Sequence, residues 1–160
     1  MTAGPRSEPT LAVRVDVDDR QDVAADLDHL ADLLASTLGS QCGQSNPSLS
    51  AAEVGLSLVE TAEMATLNEQ HMGKAGPTDV LAFPIDGVEA MGVPDGQPAM
   101  LGDVVICPAV AAQATQPLQD ELALLVVHGA LHLLGHDHAE PGETVTMKAL
   151  EVEMLDRFHR

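Results

Sequence analysis

The chain has 160 residues, with 7 lysines and arginines against 25 aspartates and glutamates and a formal net charge of −18. This length suits one compact unit, so we predict a single domain over residues 1–160. The acidic balance argues against a general affinity for nucleic acid or anionic membranes. A phosphate-binding role would need a site whose local charge differs from that of the surface as a whole. The N-terminal segment contains no signal-like apolar stretch, and no aliphatic run is long enough to span a bilayer, so we expect a cytoplasmic protein without membrane contact.

The first half of the chain alternates predicted strands with predicted helices. Residues 11–19, LAVRVDVDD, place alternate apolar residues on one side, which is the period of a half-buried strand. Residues 22–39 carry leucines at helical spacing before Gly39, which predicts a helix that ends there. A polar loop over 40–52 then leads to a strand at 53–60 and a short amphipathic helix at 61–71.

The second half contains two predicted strands and two longer helices. The strands at 79–85 and 101–108 are apolar at nearly every position, as in strands covered on both faces, and a loop rich in glycine and proline joins them. Helical apolar patterns follow at 118–134, before Gly135, and at 143–159. We therefore predict an α/β (α+β) fold, a single-domain sandwich in which about five helices flank a small mixed four-stranded sheet.

Residues 128–138 read HGALHLLGHDH and hold four of the seven histidines of the chain. His128 and His132 are one helical turn apart, so both imidazoles can reach one ion at about 2.0–2.1 Å. Gly135 tolerates the left-handed backbone that stops a helix, after which His138 could fold back as a third ligand. Three histidines match zinc and leave its fourth position open, which favours a catalytic site over a structural one.

Two alternatives stay open on the residues alone. His136 becomes the third ligand if the helix continues, because positions 128, 132 and 136 would then form one stripe. The histidines could also be ordinary core or surface residues, with HDH as a polar turn. Position 129 is glycine where the H-E-x-x-H metalloproteases carry their glutamate base, so peptide hydrolysis by that route is disfavoured.

The histidine segment resembles the H-G-x-L-H-L-x-G-[YH]-D-H signature of the YbeY family of bacterial endoribonucleases. Further blocks agree in the same order, namely LN at 67–68, GPTDVLAFP at 76–84, LGDVVICP at 101–108 and ELALLVVHG before the histidines. The resemblance covers roughly residues 53–156. Carried over position by position, it implies that the metal ligands are His128, His132 and His138. Position 136 is Tyr or His within the family, so a histidine there is ordinary.

The resemblance also implies an activity and partners. A single-domain α/β sandwich would hold one zinc ion and cut single-stranded RNA, notably near the 3′ end of the small-subunit ribosomal RNA, and would support ribosome quality control. The implied partners are ribosomal RNA, the small ribosomal subunit, and a ribosome-associated GTPase or a ribosomal protein. Because zinc lowers the pKa of its bound water to about 7, His128 is assigned a catalytic role in activating that water.

One position departs from the family pattern. Many members have an arginine soon after the LN pair, whereas this chain has Met72 in HMGKAG at 71–76. Lys74 is the candidate phosphate contact in its place, although lysine lacks the bidentate fork of arginine; the alternative is a solvated loop lysine. Among the carboxylates, Asp137 could orient a ligand imidazole or bond turn amides. Structural roles are expected for Asp79, Asp103 and Glu121.

Three functions compete on this sequence. The first is a zinc-dependent endoribonuclease, favoured by the open three-histidine site. The second is a ribosome-assembly or quality-control factor with a mainly structural zinc site and negligible cleavage, favoured by the missing arginine and the charge of −18. The third is a hydrolase of another substrate, since a motif does not identify the substrate.

Overall fold

A computed structural model describes residues 12–45, 51–85, 98–136 and 140–160. Its elements in chain order are β1 (Ala12–Asp19), α1 (Leu27–Ser45), β2 (Ala51–Leu58), α2 (Thr61–Met72), β3 (Val80–Pro84), β4 (Ala99–Ile106), α3 (Pro108–Ala111), α4 (Leu118–Leu133) and α5 (Pro141–Phe158). The sheet order is β1-β2-β4-β3; β1, β2 and β4 are parallel and β3 is antiparallel to β4. The predicted α/β fold, with a small mixed four-stranded sheet and five helices over these residues, is confirmed.

Helices pack on both faces of the sheet. The larger core lies between one face and helices α1, α4 and α5, and it includes Leu56, Val104 and Leu131, all fully buried. A smaller cluster on the other face joins Met64 of α2 to Leu81 and Val105. Strand β4, between β2 and β3, is buried at six of its eight positions, which confirms that it is covered on both faces.

Helix α1 differs from the predicted helix at both ends. Its start is later because Oδ1 of Asp26 accepts a hydrogen bond from the backbone N–H of His29 (3.0 Å), as an N-cap side chain does. Its end lies beyond Gly39, so the predicted stop was wrong and residues 40–45 are helical. Helix α5 supports this extension, since Nη1 of Arg157 donates to Oγ of Ser40 (3.1 Å). A glycine within a helix costs roughly 1 kcal/mol, and contacts between α1 and α5 contribute to offsetting this cost.

The remaining elements lie close to their predicted positions, with one addition. Helix α3, of four residues, begins at Pro108 and was not among the predicted elements. Residues 86–97 of the predicted loop lie outside the described residues, and β4 begins at Ala99, two residues before its predicted start. Within the described ranges, no helix combines the length and the apolar character needed to cross a membrane.

Candidate metal centre

Helix α4 brings two histidines together at the surface of the core. His128 and His132 are both half-buried, and their Nε2 atoms are 3.1 Å apart. The ring centroids are separated by 4.6 Å, and the ring planes are inclined at 74°. Two nitrogens bound to one tetrahedral zinc ion at about 2.0–2.1 Å would be about 3.3 Å apart. The pair therefore already has nearly the separation that a shared ion requires.

Gly129 lets α4 lie close to the sheet. A Cβ atom at position 129 would lie 2.7 Å from Cγ1 of Val104 in β4, a distance that real Cβ contacts essentially never show. The glycine that follows the first histidine is therefore explained by packing between α4 and β4. A glutamate at this position, as in the H-E-x-x-H metalloproteases, would not fit without movement of the helix.

The helix ends where the sequence predicted. Gly135 has a φ of 95°, the left-handed conformation that was expected to stop α4. The backbone N–H of Gly135 donates to the carbonyl of His132 (3.0 Å), and that of His136 donates to the carbonyl of Leu131 (3.0 Å). The chain therefore leaves the helical path before His136.

The third ligand stays a prediction. Within residues 12–45, 51–85, 98–136 and 140–160, no three His, Cys, Asp or Glu side chains form a group that could hold one ion, so His136 does not complete the pair. His138, the predicted third ligand, and Asp137, the predicted orienting carboxylate, lie outside the described residues.

Glu151, a carboxylate that was not predicted at this site, makes contact with His128. Nδ1 of His128 lies 2.6 Å from Oε2 of Glu151 in α5, and the two side chains are 25% and 14% exposed. Glu151 is 23 residues away in the chain, and only the packing of α5 against α4 brings it to the site. No local spacing signals such a contact, because it depends on how two helices cross.

The histidines line a cleft of about 320 Å³ between α4, the end of α2 and the start of β3. Lys74, Thr78 and Asp79 line it as well, together with Met72 and Asn68. The loop after α2 is held in place because Nδ2 of Asn68 donates to the carbonyl of Gly76 (2.9 Å). The structure therefore brings Lys74, the predicted phosphate contact, into the same cleft as the two histidines.

Two of the three carboxylates assigned structural roles lie away from this cleft. Oε1 of Glu121 accepts a hydrogen bond from Nε2 of Gln116 (2.8 Å) near the start of α4. The Asp103 side chain is exposed and lies against Gly55 of the neighbouring strand. Asp79 is different, since it lines the cleft while its backbone carbonyl accepts a bond from the N–H of Cys107 (2.9 Å).

The fold and the site together define an α/β protein whose central helix presents a histidine pair to an open cleft. The sequence model of one family, Endoribonuclease YbeY, matches residues 16–159. Endoribonuclease YbeY of Rhodococcus opacus is 50% identical over 116 residues, 68% of this chain and 64% of that protein. The protein of the same name from Mycobacterium sp. (strain KMS) is 50% identical over 115 residues, 68% of this chain and 65% of that protein.

This chain belongs to the YbeY family. The matches span about two thirds of the length of these relatives, 64% and 65% respectively. Among solved structures, the solution structure of TM1509 from Thermotoga maritima aligns with a TM-score of 0.53 and 23% identity, over 91% of this chain and 90% of that one. At this identity the similarity concerns the fold alone.

Proposed function

We propose that this protein is a zinc-dependent endoribonuclease that cuts single-stranded RNA during ribosomal RNA maturation in the cytoplasm. The observation that carries the proposal is the approach of the His128 and His132 Nε2 atoms to 3.1 Å at an open cleft. The relatives from Rhodococcus and Mycobacterium are named endoribonucleases, which supports RNA as the substrate. The finer assignments, namely the 3′ end of the small-subunit RNA and ribosome quality control, follow from the family resemblance.

The side chains present fit a zinc ion. An ionised carboxylate only accepts hydrogen bonds, so the Glu151 contact requires that Nδ1 of His128 carry the hydrogen. In the neutral ring this leaves a lone pair on Nε2, the atom that faces His132. We assign His128, His132 and His138 as the residues that would hold zinc. When bound, the ion supplies Lewis-acid stabilisation of negative charge on a phosphoryl group.

The chain's own residues would position the RNA around that ion. Lys74 offers a positive charge to a phosphate at the rim of the cleft, where the overall charge of −18 offers little other attraction. Thr78 and Asp79 present a hydroxyl and a carboxylate for hydrogen bonds with ribose hydroxyl groups. Since the whole sequence holds only two aromatic Phe, Tyr or Trp residues, phosphate and ribose contacts must dominate over base stacking.

The size of the cleft suits a flexible strand. A volume of about 320 Å³ falls at the lower end of small-molecule sites, about 300–1,000 Å³, which is room for a nucleotide. A single strand can turn a nucleotide into such a cleft, whereas a duplex must first unpair and unstack it. We therefore expect cleavage of unpaired RNA and protection of the same sequence within a duplex.

The test is RNA cleavage by highly purified protein beside a His128→Ala variant prepared identically. The proposal expects the wild type to cut a single-stranded RNA that ends in the 3′ region of small-subunit RNA, and expects the variant to lose this activity. Equal cutting by both preparations would indicate a contaminating nuclease and would overturn the proposal. A circular dichroism spectrum of the variant shows whether the loss reflects unfolding.

A ribosome-assembly factor is the second candidate, favoured by the charge of −18 and by Met72 in place of the usual arginine. An acidic surface suits a basic ribosomal protein or a ribosome-associated GTPase as partner. On this alternative, the His128→Ala variant still co-sediments with small ribosomal subunits and supports their assembly, and the wild type does not cut RNA.

A further inference from the structure

Glu151 makes a short hydrogen bond to His128 of the candidate metal centre. Its Oε2 lies 2.6 Å from Nδ1 of His128, slightly shorter than the about 2.7–2.9 Å typical of charge-assisted N–H···O bonds. The Glu151 side chain is 14% exposed, whereas Glu153, two residues later on the same helix, is 53% exposed and pairs with Arg157 at 3.6 Å. Glu151 therefore faces α4 while its neighbour faces solvent.

The carboxylate is held in place by the core. Helix α5 is anchored on the rest of the protein by Met147, Met154 and Leu155, which are at most 6% exposed. Glu151 lies one turn from both Met147 and Leu155, so the backbone that carries it is fixed against α4. A carboxylate on a packed helix can therefore fix the orientation of the imidazole that it contacts.

The contact selects one form of the His128 ring. Because the carboxylate accepts and does not donate, the hydrogen of the neutral ring must be on Nδ1. The opposite nitrogen, Nε2, is then unprotonated and lies 3.1 Å from Nε2 of His132. The same contact thus fixes both the orientation of the ring and the nitrogen that faces His132.

We infer that Glu151 is a positioning residue that holds His128 as its Nδ1–H tautomer, with Nε2 directed to the zinc ion. This inference rests on the proposed zinc site for its effect on the metal, but its effect on the tautomer is independent of zinc. Carboxylates that orient ligand histidines in this way typically contribute 10–100-fold to metal affinity.

The experiment compares Glu151→Ala and Glu151→Gln with the matched control Glu153→Gln. The first readout is the zinc dissociation constant, measured by competition with a chromogenic chelator. We expect it to rise about 10–100-fold in Glu151→Ala, to rise less in Glu151→Gln, whose amide oxygen can still accept a bond, and to stay unchanged in the control. The second readout is the ¹⁵N chemical shifts of the His128 ring in zinc-free protein, which identify the protonated nitrogen.

The tautomer distinguishes positioning from a merely structural role. We expect protonated Nδ1 in the wild type and in Glu153→Gln, and a shift of population toward protonated Nε2 in Glu151→Ala. Wild-type zinc affinity in both Glu151 variants, or an Nε2–H tautomer in the wild type, would overturn the inference. Should Glu151→Ala fail to fold, the smaller rise of the zinc dissociation constant in Glu151→Gln, against the unchanged control, still tests the inference.

Failure of the zinc site itself gives a different result. In that case His128→Ala would bind zinc as tightly as the wild type, while the ring shifts would still report the effect of Glu151 on the tautomer. The two hypotheses can therefore fail separately.

Discussion

Gly129 of α4 and Val104 of β4 approach so closely that a Cβ atom at position 129 would lie 2.7 Å from Cγ1 of the valine. We predict that Gly129→Ala lowers the free energy of unfolding by about 1–3 kcal/mol, because added volume in a packed core forces side chains or backbone to move. Urea denaturation measures the effect. Zinc affinity should fall as well, since His128 is the adjacent residue.

Gly142→Ala is the matched control for this substitution. Gly142 lies in α5, and nothing would come within 4 Å of its added Cβ atom. The free energy of unfolding of the Gly142→Ala variant should equal that of the wild type or exceed it by up to about 1 kcal/mol, because alanine favours the helix. Equal stability of Gly129→Ala and wild type would show that the contact with Val104 does not explain the glycine.

Gly135→Ala tests the helix stop. The φ of 95° at this position strains any residue with a Cβ atom, so we expect a loss of about 1–2 kcal/mol in the free energy of unfolding. If the stop also directs His138 to the ion, zinc affinity falls in the same variant. Wild-type values for both quantities would mean that the chain can leave α4 by another path without cost.

Lys74 is expected to contribute one phosphate contact. In Lys74→Ala, binding of a single-stranded RNA should weaken, and the slope of log affinity against log salt concentration should fall by about 0.7. Met72→Arg should change both quantities in the opposite direction, because Met72 lines the same cleft. Lys148→Ala, on the exposed side of α5, is the control. Identical salt slopes for Lys74→Ala and wild type would identify Lys74 as a solvated loop residue.

A second histidine network joins three helices away from the cleft. His159 contacts Oδ1 of Asp120 through Nε2 (2.8 Å) and Nε2 of His29 through Nδ1 (2.8 Å). The His159 side chain is 10% exposed, whereas Asp120 is 48% exposed and can bond water in its absence, so His159→Ala should cost about 1 kcal/mol of unfolding free energy through the lost hydrogen bonds.

A measurement of zinc affinity shows whether this network is independent of the metal centre. We expect it to be unchanged in His159→Ala, because Asp120 lies two turns from His128 on α4. The control Arg160→Ala removes an exposed ion pair with Asp156 and should change the free energy of unfolding by at most about 1 kcal/mol. A zinc affinity that fell in His159→Ala would show that the two histidine networks are coupled.

Local patterns predicted most of the secondary structure and the histidine pair. The i and i+4 spacing of His128 and His132 fixes their neighbourhood once the segment is helical, and Gly135 fixes where the helix ends. These features depend on a few consecutive residues, so the sequence alone was enough to find them.

Features set by contacts between distant segments were missed. The continuation of α1 beyond Gly39 is accompanied by a contact with α5, and the pairing of Glu151 with His128 depends on the packing of α5 against α4. Asp137, which the sequence suggested could orient a ligand imidazole or bond turn amides, lies outside the described residues. The parallel order β1-β2-β4 with antiparallel β3 was likewise not specified by the strand patterns. Such patterns indicate which side chains of a strand are buried, but not which strands pair with each other.

The most direct test of the account is cleavage of single-stranded RNA during a zinc titration of metal-free protein. We predict that the metal-free wild type is inactive, that its rate rises until one zinc ion is bound per chain, and that His128→Ala and His138→Ala neither bind this ion nor cut. Cleavage by the metal-free protein, or cleavage by the His128→Ala variant at the wild-type rate, would contradict the account.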